Sequence, residues 1–228
     1  MSDIFREVDE DLRREQVKRL WDRYGTYVIG AAILIVVATA GYRLYGYFQD
    51  RQTAASGDRF VAAVKLADDG KHAEAIAALD AIAKDGSGGY PVLASFRSAA
   101  EKAATGDDKG AVAGFDAIAQ SSSPPSLIRD MARIRAALIL VETANFNDMV
   151  ARIGDLAAPD NIWRHTAREI LGLAAWRVND TVNARKYFKA ILDDKDAPGD
   201  IKGRASFMTA LLDAREGAPK AETPKPAT

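Results

Sequence analysis

The chain has 228 residues, a formal net charge of −1 at pH 7 and no cysteine. The lack of cysteine excludes disulfides, thiolate catalysis and zinc–thiolate sites. The near-neutral charge gives no general attraction to nucleic acid, and we expect no nucleic-acid partner.

The N-terminal segment, residues 1–23, is densely charged with both signs. Apolar residues such as Phe5, Val8 and Leu12 recur within it at helical spacing. This pattern predicts an amphipathic helix at the cytoplasmic face of a membrane. A solvated linker helix and a contact site for a cytoplasmic partner both agree with it.

An uncharged segment of nineteen residues follows, from Tyr24 to Tyr42. At about 1.5 Å per residue such a helix spans roughly 28 Å, close to the hydrocarbon thickness of a bilayer. Tyrosines near both ends fit the interfacial regions. We therefore predict a single transmembrane anchor over residues 24–47, in contact with the lipid bilayer.

The basic residues around the anchor predict its orientation. Six precede the span and three follow it: Arg6, Arg13, Arg14, Lys18, Arg19 and Arg23, then Arg43, Arg51 and Arg59. This excess predicts a cytoplasmic N-terminus and an exported domain over residues 54–216. The prediction is a single-pass protein of the bacterial inner membrane with a periplasmic domain.

Three other interpretations of the N-terminus are less favourable. Ala38-Thr39-Ala40 has the form of a signal-peptide cleavage site, but the preceding segment is long and rich in acidic residues. Arg13-Arg14 resembles a twin-arginine signal, yet more charge follows it before the apolar run. A buried helix of a soluble domain is disfavoured by the uncharged length and the aromatic flanks.

The exported part contains four repeats, which align on Gly70, Gly106, Ala144 and Asn179, spaced 36, 38 and 35 residues apart. Five, nine and twelve residues after each alignment point come apolar residues that share one helix face. The second helix of each unit is thus predicted to bury Ala75, Leu79, Ile82, Ala111, Phe115, Ile118, Met149, Ile153, Leu156, Ala184, Phe188 and Ile191.

A first helix precedes each of these second helices. We predict the first helices over residues 55–68, 92–104, 127–142 and 162–178, with prolines at the junctions. A ninth helix, 201–215, would cap the stack through Ala205, Met208, Leu211 and Leu212. The prediction is an all-α protein: one transmembrane helix, an α-solenoid of about four hairpins, a capping helix and a disordered tail over residues 217–228.

The hairpins resemble tetratricopeptide repeats, and the fourth unit carries this resemblance best. Its segment Ile170–Trp176, with Asn179-Asp180 and Ala184–Phe188, is similar to the family's small-residue packing positions. Gly172 and Trp176 are accordingly predicted as packing residues. The first unit matches on its second helix, Gly70–Ile76, whereas the third offers Ala137 and Met149 where glycine and alanine are usual.

As a whole the chain resembles the YfgM-type ancillary subunits of the Sec translocon. The resemblance includes Tyr90 and Leu93-Ala94-Ser95 in the second unit, and Ile162-Trp163 with Gly172-Leu173-Ala174 in the fourth. It implies three kinds of partner: Sec translocon subunits, membrane-anchored periplasmic chaperones and exported polypeptides. An envelope scaffold for outer-membrane or cell-wall assembly is the alternative function.

A non-enzymatic binding role follows from the absence of any catalytic constellation. Cations and an aromatic ring on the first helices are the candidate partner-binding residues: Arg97, Arg133, Arg135, Trp163 and Arg164. His72 is interpreted as a packed ring. His165 and Glu169 have metal-ligand spacing but lack a third ligand, and Gly86–Gly89 lacks the strand that a phosphate loop requires. We expect no cofactor and no metal.

Overall fold

A computed structural model describes the backbone of residues 3–217 and the side chains of residues 18–217, except residue 216. The tail from residue 218 and the side chains of the first seventeen residues lie outside this description. Within it the protein is all α-helical, as predicted. Its helices are α1 Asp3–Asp68, α2 His72–Asp85, α3 Tyr90–Ala104, α4 Asp108–Gln120, α5 Ser126–Leu140, α6 Phe146–Ile153, α7 Arg164–Arg177, α8 Thr181–Leu192 and α9 Gly199–Glu216, with a 3₁₀ helix at Asp155–Ala157.

The chain divides into two compact units, one up to Ala55 and one from Ser56. The first unit contains a helical segment that is long and apolar enough to cross a membrane, and none of its most apolar eighteen residues is buried. Side chains such as Ile33, Leu34 and Val36 are more than half exposed. Thr39 is accommodated because its hydroxyl donates to the carbonyl of Ile35 at 2.7 Å.

The second unit is a series of helical hairpins in which α1 (its last turns), α3, α5 and α7 are first helices. Each is followed by its second helix, α2, α4, α6 or α8, and α9 closes the series. The bounds of α3, α5, α7 and α9 lie within two residues of the predicted ones, because prolines mark several helix starts. The helix predicted from residue 55 ends at Asp68 as expected, but it has no start of its own, because α1 is continuous from Asp3. Pro91 lies in the first turn of α3, and Pro125 and Pro198 precede α5 and α9.

The turns between first and second helices share one geometry in three of the units. Gly70, Gly106 and Asn179, all of them alignment points of the repeat, have φ of +78°, +84° and +62°. At each turn the next backbone N–H bonds a carbonyl five residues back, as Lys71 does to Leu66 at 2.8 Å. This left-handed cap satisfies the last carbonyls of the first helix and turns the chain back.

The third unit differs. Its alignment point, Ala144, does not have a positive φ, and Asn145 caps α6 instead by accepting from the N–H of Asp148. Helix α6 has only eight residues and stops before Gly154, where the chain continues as the 3₁₀ helix. Leu156, predicted on the second helix, is therefore buried from the 3₁₀ segment.

The core lies between successive helices and is built from the repeated small and large apolar residues. All twelve residues predicted on the buried face of the second helices are buried. Trp176 is partly buried and packs beside Ala184 and Phe188. Leu211, by contrast, is 36% exposed, whereas Ala205 and Leu212 of the same helix face the stack.

Candidate partner-binding surface

Arg133, one of the predicted partner-binding residues, is occupied by contacts within the protein. Its guanidinium donates to both carboxylate oxygens of Asp155, to Asp130 at 3.3 Å and twice to the carbonyl of Arg152. The bond from Arg133 holds the pKa of Asp155 below its ordinary value. Since five N–H groups are its whole donor supply, Arg133 ties α5 to the end of α6 and has none left for a partner.

Arg164 is likewise an internal contact. Its Nε donates to Asp194 at 2.8 Å, and the buried side chains of His165 and Arg168 reach the same carboxylate at 3.0 and 3.1 Å. The bond from Arg164, followed by those from the backbone of Asp196 and from His165, holds the pKa of Asp194 well below its ordinary value. Arg168 also donates to the carbonyls of Ala157 and Ala190. The cluster fastens α7 to the segment after α8.

Arg97 belongs to a cluster around the buried carboxylate of Glu101. It donates to Glu101 at 2.6 Å, while Nδ1 of His72 lies 3.0 Å from the other oxygen of Glu101. The ring of His72 is 42% exposed, so it is not the packed ring that the sequence predicted. It instead joins the first repeat to the second through the carboxylate of Glu101. Arg97 keeps about a third of its side chain at the surface.

Trp163 and Arg135 have opposite environments. Trp163 precedes α7 and packs against the core cluster of α5, α6 and α7, with its Nε1 buried and unpaired. Arg135 lies on the exposed side of α5, away from Arg133, and no ion pair engages it among the described residues. The structure therefore gives the five predicted residues separate environments, and Arg135 alone of them is exposed without an ion pair in that part of the chain.

No group of three metal-ligating side chains occurs in the described part of the chain. His165 is bonded to Asp194, and Glu169 accepts from Arg204 on α9. The pair with metal-ligand spacing thus holds neighbouring helices together.

A cleft lined by residues of α4, α5 and α6 forms a broad concave surface of the hairpins. It consists of two adjoining cavities of about 720 and 560 Å³ that share Asp116 and Leu140. We call it the mid-array cleft.

The walls of the mid-array cleft are apolar and its rim is charged. Val112, Ala113, Ile139 and Leu140 line one part, and Met149 reaches the other. Across it, both terminal nitrogens of the Arg152 guanidinium donate to the carboxylate of Asp116. This arrangement can hold apolar side chains of a polypeptide, while the rim offers hydrogen-bonding groups to its backbone.

A second groove of about 360 Å³ lies at the corresponding place of the preceding repeat, over α3 and between α2 and α4. Asp80 and Ala83 line it where Asp116 and Ala119 line the mid-array cleft. The hydroxyl of Ser98 donates to Asp80 at 2.5 Å. The repeat thus places a carboxylate at equivalent points in two successive grooves.

Sequence reasoning missed these grooves because it looked for cations on first helices. One signal was present in the sequence: side chains of opposite charge recur about one repeat apart. Asp116 bonds Arg152, and Glu169 bonds Arg204. Pairs of opposite charge at separations of 35 and 36 residues therefore indicate which charged side chains are bound to one another inside the protein.

Comparison with known proteins agrees with this architecture. A family model described as a tetratricopeptide repeat-like domain matches residues 18–213, which include the apolar segment, all four hairpins and most of α9. No curated protein and no solved structure matches the chain.

Proposed function

Because the chain belongs to the tetratricopeptide repeat-like domain family, a protein-interaction fold, we propose that it is a membrane-anchored scaffold for exported polypeptides. In this role it is an ancillary subunit beside the Sec translocon that links newly exported chains to periplasmic chaperones. Its work is binding, without catalysis. The observation that carries the proposal is the mid-array cleft, a concavity on a repeat scaffold that combines apolar lining residues with charged ones.

The proposed location follows from the charge pattern. The apolar segment, whose most apolar eighteen residues are all unburied, serves as the anchor in this proposal, and the excess of basic residues before it supports a cytoplasmic N-terminus. The hairpins then lie in the periplasm, where exported polypeptides emerge. Fusion of a reporter active only in the periplasm after Gly217 tests this topology, and activity of the same reporter at the N-terminus instead would refute it.

The choice of translocon and chaperones as partners rests on the resemblance to the YfgM-type ancillary subunits. The cleft supports the part that concerns unfolded chains, since its apolar lining suits side chains that a folded partner would bury. The candidate residues then have different roles. Arg135 contributes an exposed cation and Arg97, paired with Glu101, a partly exposed one, whereas Arg133, Arg164 and Trp163 keep the hairpins in place.

The experiment is a mild-detergent pull-down of the full-length protein from native membranes, read by mass spectrometry. Ala113→Arg is the test variant, because Ala113 is exposed and lines the mid-array cleft. Ala100→Arg is its control, since Ala100 is exposed on α3 and lines neither groove. We expect Sec subunits and periplasmic chaperones with the wild type and the control, and a loss of exported polypeptides with Ala113→Arg.

Two results would change the proposal. Recovery of outer-membrane or cell-wall assembly factors in place of Sec subunits would replace the translocon by the alternative envelope scaffold. Equal recovery of exported polypeptides by Ala113→Arg and Ala100→Arg would exclude the mid-array cleft as their site.

A further inference from the structure

Helix α9 is the first helix of a fifth unit. Gly217, directly after it, lies 38 residues beyond Asn179, which is one repeat length. Gly217 also has a positive φ of +71°, as do Gly70, Gly106 and Asn179 at the equivalent points. Its ψ of 127° lies outside the left-handed helical region, so α9 reaches the turn position of the repeat without the left-handed helical cap.

The position ten residues before each turn shows what a second helix covers. It is occupied by Phe60, Phe96, Ile134, Glu169 and, in α9, Phe207. The ring of Phe96 lies 5.2 Å from that of Phe115 on α4. Ile134 is buried in one cluster with Met149 and Ile153 of α6. In these units the large residue contacts the second helix.

Small residues recur seven residues before each turn, at Ala63, Ala99, Ala137, Gly172 and Ala210. The first four are buried, and a Cβ atom added to Gly172 would lie 2.7 Å from the ring of Phe188 on α8. This column is therefore where the second helix approaches most closely. Ala67, three residues before the first turn, is also buried, and its counterpart in α9 is Ala214.

In α9 the same positions are uncovered. Phe207 is 64% exposed, and Ala210 and Ala214 are exposed as well, beside the partly exposed Leu211. The opposite face of α9 packs on the preceding second helix, as in the other units. Ala205 is buried against α8, as Ala94 and Ala132 are buried against α2 and α4. A capping helix of a repeat array ordinarily has a polar outer face, so this apolar stripe calls for a partner.

The sequence after Gly217 does not have the pattern of a second helix. Five and nine residues beyond the turn, where the first unit has Ala75 and Leu79, stand Glu222 and Pro226. The position of a fifth second helix is therefore open on the face of α9.

We propose that the outer face of α9, formed by Phe207, Ala210, Leu211 and Ala214, binds an amphipathic helix of a partner protein in place of a fifth second helix. The packing of the four complete hairpins defines the chemistry of this helix. It has a small residue followed four and seven positions later by large apolar residues, as in Ala75, Leu79 and Ile82. The proposal rests on the packing of the repeat and is independent of the translocon role.

The test measures binding of a fluorescent peptide, with the sequence of residues 71–86 and blocked ends, to the full-length protein in detergent. Because a peptide of this length is only marginally helical alone, we expect a Kd of about 100 μM by anisotropy. Phe207→Asp should weaken binding about tenfold or more, since it places a charge in the apolar contact. Val182→Asp is the control, because Val182 is 77% exposed on α8 and outside the stripe.

A chimera provides a second measurement. A copy of residues 71–86 joined directly after Gly217 should dock in the repeat register and raise the Tm by about 4 °C or more. The same chimera with serine in place of the copied Leu79 and Ile82 should show no increase. Absence of peptide binding at millimolar concentration, together with equal Tm values of the two chimeras, would overturn the proposal.

Two further results would assign the face to another occupant and so refute a partner helix. One is a disulfide-linked dimer of a Phe207→Cys variant that forms at protein concentrations at which the wild type also self-associates. It would indicate that a second copy of the chain covers the face of α9. The other is a gain in peptide affinity on truncation after Gly217, which would indicate that the chain's own last residues cover the stripe.

Discussion

Gly172 in α7 offers a test of how closely two helices approach. A Cβ atom at this position would lie 2.7 and 2.8 Å from two ring carbons of Phe188. Phe188 is 0% exposed and packed in the core cluster of α7, α8 and α9, so its ring has no space to move into. Gly172→Ala is therefore an overpacking substitution.

Two opposing effects set the change in the free energy of unfolding that Gly172→Ala causes. Replacing glycine by alanine inside a helix gains about 1 kcal/mol of stability. Overpacking a rigid core costs about 1–3 kcal/mol, and contacts this short belong at the upper end. We expect a net loss of about 2 kcal/mol, which lowers the Tm by about 4–8 °C for a domain of this size.

The assay is thermal and urea denaturation of the full-length protein in detergent, followed by far-UV circular dichroism. Gly203→Ala in α9 is the matched control, because nothing lies within 4 Å of its added Cβ. That control should raise the Tm by about 2–4 °C. Phe188→Leu combined with Gly172→Ala should lose less stability than the two single losses added together. A rise in Tm for Gly172→Ala equal to that of Gly203→Ala would refute the close approach.

Three further substitutions test the turns and the buried ion pairs. Gly106→Ala should lower stability by about 1–2 kcal/mol in urea unfolding, since its φ is +84° and strain acts there without any steric contact; unchanged stability would contradict the left-handed turn. Arg168→Met should cost about 3–5 kcal/mol, because it removes a buried cation and three of its bonds, and Arg168→Lys should recover only part of the loss. Asp194→Asn should lower the Tm at pH 7. The folded-state pKa of Asp194 lies well below its ordinary 3.8, so the stability that this carboxylate contributes is present above that value and is lost as the pH falls below it. The Tm difference between Asp194→Asn and wild type should thus shrink below about pH 4, and a difference that stays constant down to pH 2 would contradict the role of Asp194.

The fold was largely predictable because each structural position occurs in four repeats, so the same buried or turn position is seen four times in the sequence. Spacing and proline positions give the helix bounds, and the small and large apolar residues give the buried face. The third unit could not be predicted in the same way. Its turn lacks glycine and asparagine at the alignment point, and the one stop signal, Gly154 directly after α6, does not recur at the equivalent position of the second and fourth units.

The candidate site was less accessible to sequence reasoning for a physical reason. An arginine on a first helix binds a partner only if the fold leaves its donors unused, and that depends on carboxylates distant in sequence. Arg133 meets Asp155 and Arg164 meets Asp194, 22 and 30 residues away. Helical periodicity shows which face a residue occupies, but it does not show which side chains from the end of the following helix reach it.

The break in regularity at the third unit has a consequence for how the array unfolds. In a linear array each unit is stabilised by its neighbours, so cooperativity passes along the chain one interface at a time. The eight-residue α6 contributes the shortest α-helix that the structure describes, and the tie from Arg152 to Asp116 is a partly exposed ion pair, which salt weakens. Hydrogen exchange should therefore divide the array into an N-terminal and a C-terminal block that open separately. Since the mid-array cleft lies at this joint, a polypeptide bound there would couple the two blocks, and the protein would unfold as one body only when occupied.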